Sequence, residues 1–135
     1  MGYCFIFIIL MAGGIKLKRY CLVNKIKKEF LKEYIDIHKN PWKEVLEALK
    51  EAGTHNEFIF MYDNLAIVII ECEDIDVYMK SFGNSEAGKK WFEMVAPWLE
   101  ESQFIDETGK LHGETNYLEK VFDMKQQLDG KLYPY

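Results

Sequence analysis

The sequence predicts an α+β subunit of the ferredoxin-like kind, a split β-α-β sheet with helices on one face. Three observations carry the prediction. The apolar spacing alternates between two and 3.6 residues in the order β-α(α)-β-β-α(α)-β. Two strand-like runs are separated only by Asp63-Asn64, a pair suited to a tight hairpin. With 135 residues, 49% of them hydrophobic and 15% aromatic, the chain is long and apolar enough for one core without disulfide or metal staples.

Ile15 to Val23 reads as the first strand, β-branched and aromatic with charges on its early alternate positions. Lys25 to His38 reads as a helix, because Phe30, Leu31, Tyr34, Ile35 and His38 recur at i, i+3, i+4. Asn40-Pro41 then supplies a cap and a proline at the first position of a second helix, striped by Trp42, Val45, Leu46 and Leu49 and ended by Gly53. Thr54 to Tyr62 and Leu65 to Cys72 are the hairpin strands, joined by a turn that suits type I′. Asp74 caps a short helix carrying Ile75, Tyr78, Met79 and Phe82. Gly83-Asn84-Ser85 breaks it and caps another, with Trp91, Met94, Val95 and Trp98 on one stripe. The polar, glycine-containing stretch from Gln103 to Asn116 is a loop, with Asn84, Ser85 and His112 read as cap and loop residues. Tyr117 to Met124 is the candidate last strand, followed by an extended arm.

Helices cover only one face of such a sheet, yet Ala66-Ile67-Val68-Ile69-Ile70 is apolar at every position and wants both faces buried. A second copy of the sheet is the simplest cover. The expectation is therefore a homodimer whose sheets face each other across a pocket. Alternation on the second strand sets Phe58 and Phe60 against His55, Glu57, Ile59 and Met61. With the phenylalanines on the helices, His55 and Glu57 would face that shared pocket.

A net charge of −5, with lysines mixed among glutamates, leaves no basic footprint for nucleic acid. Cys4, Cys21 and Cys72 are odd in number and lack a C-x-x-C spacing, which fits a reduced, cytoplasmic protein. His38, His55 and His112 stand apart with no zinc spacing, so no metal is expected. Tyr3 to Met11 is an uncharged apolar run, far short of the about 20 residues that span a bilayer, so no membrane is expected as a partner. It lacks the basic flank of a signal peptide, and Met11 is an alternative start. The organisation is an apolar extension over 1–14, one domain over 15–124 and an arm over 125–135.

His38 lies one helical turn after Tyr34, so both point the same way at a helix C-terminus, where the helix dipole favours a protonated imidazole. Two readings stay open: His38 caps free carbonyls, or it serves as an acid near neutrality with a phenol beside it. His55 and Glu57 are either wet groups at a strand end, or a polar pair in a pocket that binds hydroxyls or transfers a proton. Trp91 sits on a stripe that core packing alone explains, but it also offers the kind of aromatic face that takes the C–H side of a sugar.

Several stretches together resemble the L-rhamnose mutarotase family over about Lys16 to Met124. They are Glu33-Tyr34 with His38 four residues on, Asn40-Pro41-Trp42, Gly53-x-His55-Asn56, Trp91 with Met94, and Leu118 with Val121-Phe122. The resemblance implies a dimeric α/β barrel of ferredoxin-like subunits and a cofactor-free interconversion of the α and β anomers of a 6-deoxyhexose such as L-rhamnose. It implies His38 as general acid, with Tyr34 and Trp91 contacting the sugar. His55 and Glu57 join them as substrate-binding candidates, and Glu57 or Tyr34 is the candidate base. Glu57 stands where the family often has tyrosine, and Lys90 where a tryptophan commonly precedes Trp91; both put charge where an aromatic wall is expected. The rival readings are another dimeric α/β-barrel enzyme, such as a cofactor-free monooxygenase, and a non-catalytic sugar-binding module.

Overall fold

The computed structural model describes residues 16–113 and 115–135. Cys4, the apolar run over 3–11 and the expected strand start at Ile15 lie outside the described residues. Four strands form one antiparallel sheet in the order β2-β3-β1-β4, where β1 is Lys18–Ile26, β2 Asn56–Tyr62, β3 Leu65–Cys72 and β4 Leu99–Ser102. Helices α1 (Leu31–Lys39) and α2 (Lys43–Glu51) connect β1 to β2. Helices α3 (Ile75–Asn84) and α4 (Glu86–Val95) connect β3 to β4, and a short α5 (Met124–Leu128) follows. The split β-α-β order stands, with the last strand in a different place.

β1 runs on through Lys25 and Ile26, where a helix start is expected from the sequence. Lys25 pairs with Leu65 on one edge and Glu101 on the other, while Ile26 pairs with Leu99 and is fully buried. Burying an isoleucine contributes about 1.5–3 kcal/mol, more than the few tenths by which helix propensities differ. A single 3-10 turn, Lys28–Phe30, then leads into α1.

The second helix starts at Lys43, two residues after the expected proline start. Asn40 is used up closing α1, its N–H donating to the Asp36 carbonyl at 3.1 Å. Pro41 also forces the residue before it out of the helical region, and Asn40 sits at φ −133, ψ 63. Gly53, at φ 91, ends α2 as expected. In the hairpin only Asp63 has positive φ, so the type I′ requirement at both turn residues is not met. Asn64 is instead buried, its amide donating to the Ile26 carbonyl at 2.8 Å. Asp74 and Ser85 cap α3 and α4 through Asp76 N and Gly88 N respectively.

The fourth strand is Leu99–Ser102, not Tyr117–Met124. Four mostly polar residues after Trp98 carry no alternation to read, and only pairing with Asn24, Lys25 and Ile26 makes them a strand. The apolar alternation after Tyr117 forms no ladder; a single bond from Leu118 N to the Cys21 carbonyl ties it to β1. The arm is not simply extended. Asp123 caps α5, and Tyr117 and Tyr135 both return to pack on Tyr20, with ring centroids 4.9 and 5.6 Å away.

Tyr20, Leu22, Asn24 and Ile26 of β1, with Ala66, Val68, Ile70 and Cys72 of β3, form the buried face beneath the helices. On β2 the alternation falls opposite to expectation. Glu57, Ile59 and Met61 pair with Ile70, Val68 and Ala66 on the helix side, while Phe58, Phe60 and Tyr62 stand exposed on the other. β3 decides this, because its smaller and fully buried residues fit under the helices and draw their cross-strand partners to the same side.

Candidate active site

A cavity of about 350 Å³ opens between the helix-covered face of the sheet and helices α1, α2, α3 and α4. It is at the small end of the about 300–1,000 Å³ usual for ligand pockets, a volume that suits one monosaccharide. The pocket is thus formed within one subunit, on the opposite side of the sheet from the one expected. Ile59, Met61, Val68 and Leu49 make apolar wall; Tyr34, His38, Glu57, Tyr78 and Trp91 give it aromatic and polar character.

Tyr34 and His38 reach the cavity from the last two turns of α1. The rings lie 4.1 Å apart at 37°, and His38 Nδ1 is 2.6 Å from the Tyr34 carbonyl oxygen. A carbonyl only accepts, so Nδ1 carries the hydrogen and Nε2 keeps its lone pair. Burial lowers the His38 pKa below the ordinary imidazole value, partly offset by that bond to the Tyr34 carbonyl. The expectation of a protonated imidazole at a helix end is therefore reversed, because desolvation outweighs the few tenths to one kcal/mol, roughly, of a helix dipole. Burial also raises the Tyr34 phenol, against the effect of the neighbouring Asn24 amide, so Tyr34 stays protonated through the physiological range.

Trp91, buried on α4, meets His38 edge-on at 5.1 Å and 84°, and Trp42 packs edge-on to Trp91 at 5.6 Å and 90°. Its neighbour Lys90 lies outside the cavity lining, exposed and paired with Glu86 at 3.1 Å one turn back. The charge that the sequence places next to Trp91 therefore does not enter the pocket.

Glu57 is held inside by β2, its Oε2 accepting a hydrogen bond from the Tyr78 hydroxyl at 3.2 Å. Burial pushes the Glu57 carboxyl up to about 7, and the Tyr78 bond opposes the shift. A substantial share of the carboxyl is thus protonated near neutrality. The cavity combines a neutral imidazole with a free lone pair and a carboxylic acid, one able to accept a proton and the other able to give one.

His55 does not join them. It is exposed just before β2, its N–H donating to the Glu71 carbonyl at 2.8 Å, and it lines a shallower groove with Lys50 and Asn56 that adjoins the cavity at Glu57. His112 is exposed on the loop after β4, its Nε2 3.0 Å from the Ser102 carbonyl. Two pocket residues were missed in the sequence. Tyr78 reads as one more apolar stripe position, although a buried phenol needs a partner for its hydroxyl. Asn24 interrupts an apolar alternation, and its Oδ1 is buried with no hydrogen-bond partner among the described residues. No group of three His, Cys, Asp or Glu able to hold a metal occurs among the described residues. No helix there is long and apolar enough to cross a membrane.

The split β-α-β fold, with a cavity between sheet and helices lined by His38, Glu57, Tyr34 and Trp91, defines a class of α+β proteins with their pocket on the helix-covered face of the sheet. A model of the L-rhamnose mutarotases matches residues 19–124, and the chain belongs to that family. It is similar to the L-rhamnose mutarotase of Bacillus subtilis (strain 168), with 27% identity over 85 residues covering 62% of this chain and 81% of that one. It is similar also to the L-rhamnose mutarotase of Shouchella clausii (strain KSM-K16), with 29% identity over 86 residues covering 61% and 80%. The crystal structure of an L-rhamnose mutarotase from Formosa agariphila has the same fold, with a TM-score of 0.60 and 23% identity, covering 79% of this chain and 98% of that one.

Proposed function

We propose that this protein is a sugar mutarotase that interconverts the α and β anomers of L-rhamnose or a closely similar 6-deoxyhexose. The observation that carries the reading is the pairing, in one monosaccharide-sized pocket, of the neutral His38 imidazole with a Glu57 carboxyl raised to about 7. Family membership gives the reaction, and Tyr34 and Trp91 supply the aromatic walls for the apolar face of the ring.

The chemistry needs only proton transfers. His38 Nε2 takes the proton from the anomeric hydroxyl as the bond between C1 and the ring oxygen breaks. Glu57 gives its proton to that ring oxygen, leaving an open-chain aldehyde, an imidazolium and a carboxylate. The C1–C2 bond rotates. The carboxylate then recovers the proton from the attacking hydroxyl, and the imidazolium returns its own to the carbonyl oxygen. Nothing is oxidised or reduced and both groups are restored, so the reaction calls for no cofactor. The resemblance assigns His38 the acid role; a lowered pKa and a committed Nδ1–H favour it as the base for ring opening and the acid for closure.

The working unit in this reading is a homodimer forming a dimeric α/β barrel, with the open faces of two sheets packed together. Phe58, Phe60, Ile67 and Ile69 would lie at its centre, an apolar group that a single subunit leaves partly exposed. Residues 15–124 form the catalytic domain and 125–135 the arm. A cytoplasmic setting fits the free thiols of Cys21 and Cys72.

Saturation-transfer NMR of anomer exchange, over L-rhamnose, L-fucose and neutral hexoses, tests the reading. Acceleration for one sugar, lost in His38→Ala, is the expected result. Saturable binding with exchange at the uncatalysed rate would instead identify a sugar-binding module.

A further inference from the structure

Glu57 is the one ionisable residue in the helix-side row of β2, where Ile59 and Met61 are its companions. The only hydrogen-bond partner of its carboxyl among the described residues is Tyr78. The Tyr78 ring is held by packing within the core. It stacks on Phe82 at 6.3 Å and 10°, and Phe82 is braced edge-on by Phe92 of α4 at 5.4 Å. All three rings are buried in the main core, so the hydroxyl is fixed in position by packing.

The direction of that bond follows from chemistry. Burial and the nearby Glu57 raise the Tyr78 phenol well above its ordinary value, so it stays protonated and donates to Oε2. In a protonated carboxyl the carbonyl oxygen is the better acceptor, so Oε2 takes that role and the acid proton belongs on Oε1. Oε1 has no hydrogen-bond partner among the described residues, and Glu57 lines the cavity.

We propose that Tyr78 is a positioning residue for the reaction: it selects which oxygen of Glu57 carries the transferable proton and holds that oxygen toward the sugar. The inference rests on the acid role given to Glu57 above. Glu57 is also approached by Tyr34 of α1 and Cys72 of β3, both shifted toward their neutral forms. His38 shares the cavity, and Lys50 of α2 and His55 share the adjoining groove. Of these groups, Tyr78 alone bonds the carboxyl.

Tyr78→Phe keeps the ring stack and removes only the donor. Because a donor stabilises the ionised carboxylate more than the neutral acid, its loss moves the Glu57 pKa upward by about one unit. Carbon-detected NMR titration of the Glu57 carboxyl, in wild type and Tyr78→Phe, reads that shift without any need for activity. In anomer exchange, Tyr78→Phe should lower kcat about tenfold with KM within about twofold, and move the alkaline limb to higher pH. Adding Tyr78→Phe to Glu57→Gln should cost little more. An unmoved Glu57 titration, or losses that multiply in the double variant, would overturn the proposal. A wild-type protein that accelerates no sugar would sink the mutarotase reading itself, while the titration still decides whether Tyr78 orients Glu57.

Discussion

His38 Nδ1 lies 2.6 Å from the carbonyl oxygen of Tyr34, one helical turn earlier on the same helix. That contact fixes the tautomer of a buried imidazole and leaves only Nε2 for chemistry. Being a main-chain contact, it survives any substitution of the Tyr34 side chain. The two contributions of Tyr34 are therefore separable: its backbone orients the His38 imidazole, and its ring forms pocket wall. Tyr34→Phe should keep His38 in place and affect mainly sugar affinity, read as a raised KM with kcat within about threefold.

The pH profile should be a bell. Ring opening needs His38 neutral, and burial holds its pKa below the ordinary value of 6.5, so activity falls only on the acid side of that value. It also needs Glu57 protonated, and this fails as the pH rises through about 7. Log kcat/KM against pH should therefore peak below neutrality. Glu57→Gln should abolish the alkaline limb along with most of the activity, about 10²-fold or more. Full activity in Glu57→Gln would exclude the residue from proton transfer.

Glu57 also links stability to pH. Its folded pKa, about 7, lies above its unfolded value near 4.5. The stability from keeping the proton is fully present below 4.5 and is lost as the pH rises to 7 and beyond. The difference amounts to about 3 kcal/mol. Glu57→Gln, which stays neutral, should therefore gain on wild type between pH 5 and pH 8. Denaturant melts at the two pH values measure this directly, and equal differences at both would show that the carboxyl ionises freely in the fold.

Trp91 should be sensitive to size more than to chemistry. It packs against both His38 and Trp42, so Trp91→Ala opens a cavity and costs about 3–5 kcal/mol, with sugar binding lost as well. Trp91→Phe should stay folded and raise KM. Lys90→Ala, outside the cavity, should change neither quantity by as much as twofold. A large Lys90 effect on sugar choice would place that side chain against the substrate.

Much of the architecture was legible because local signals and tertiary pairing agreed. Asp74, Ser85 and Gly53 end or begin helices as their side chains and φ values require, and β3 was readable from its unbroken apolar run. The errors came where pairing overruled local pattern. Ile26 is strand because it is paired and buried, and Leu99–Ser102 is strand only because β1 offers it an edge. Tyr34, His38, Glu57 and Trp91 were singled out from the sequence and line one cavity. The face of the sheet on which they meet was not legible, since alternation on β2 fits either side until β3 fixes it. Nor was the protonation of His38, because a helix end is visible in sequence while the burial that lowers its pKa comes from tertiary packing, in which Trp91 is one neighbour.

The reversed face of β2 makes a prediction about assembly. Phe60 is 59% exposed and Tyr62 73%, on the side of the sheet opposite the catalytic pocket. Cross-strand pairing sets Phe58 beside Ile69 and Phe60 beside Ile67, so the exposed apolar groups are contiguous. If two such faces pack in a homodimer, Phe60→Glu should place a charge at the centre of the interface and split the dimer. Sedimentation analysis would then give a monomer. Because His38, Glu57 and Trp91 line a pocket formed between the sheet and helices of one chain, that monomer should still bind sugar. A wild-type monomer would remove the dimer from the reading while leaving the pocket chemistry as it is. Loss of sugar binding on dissociation would show that the partner contributes to the pocket, which the lining by one chain's residues does not require.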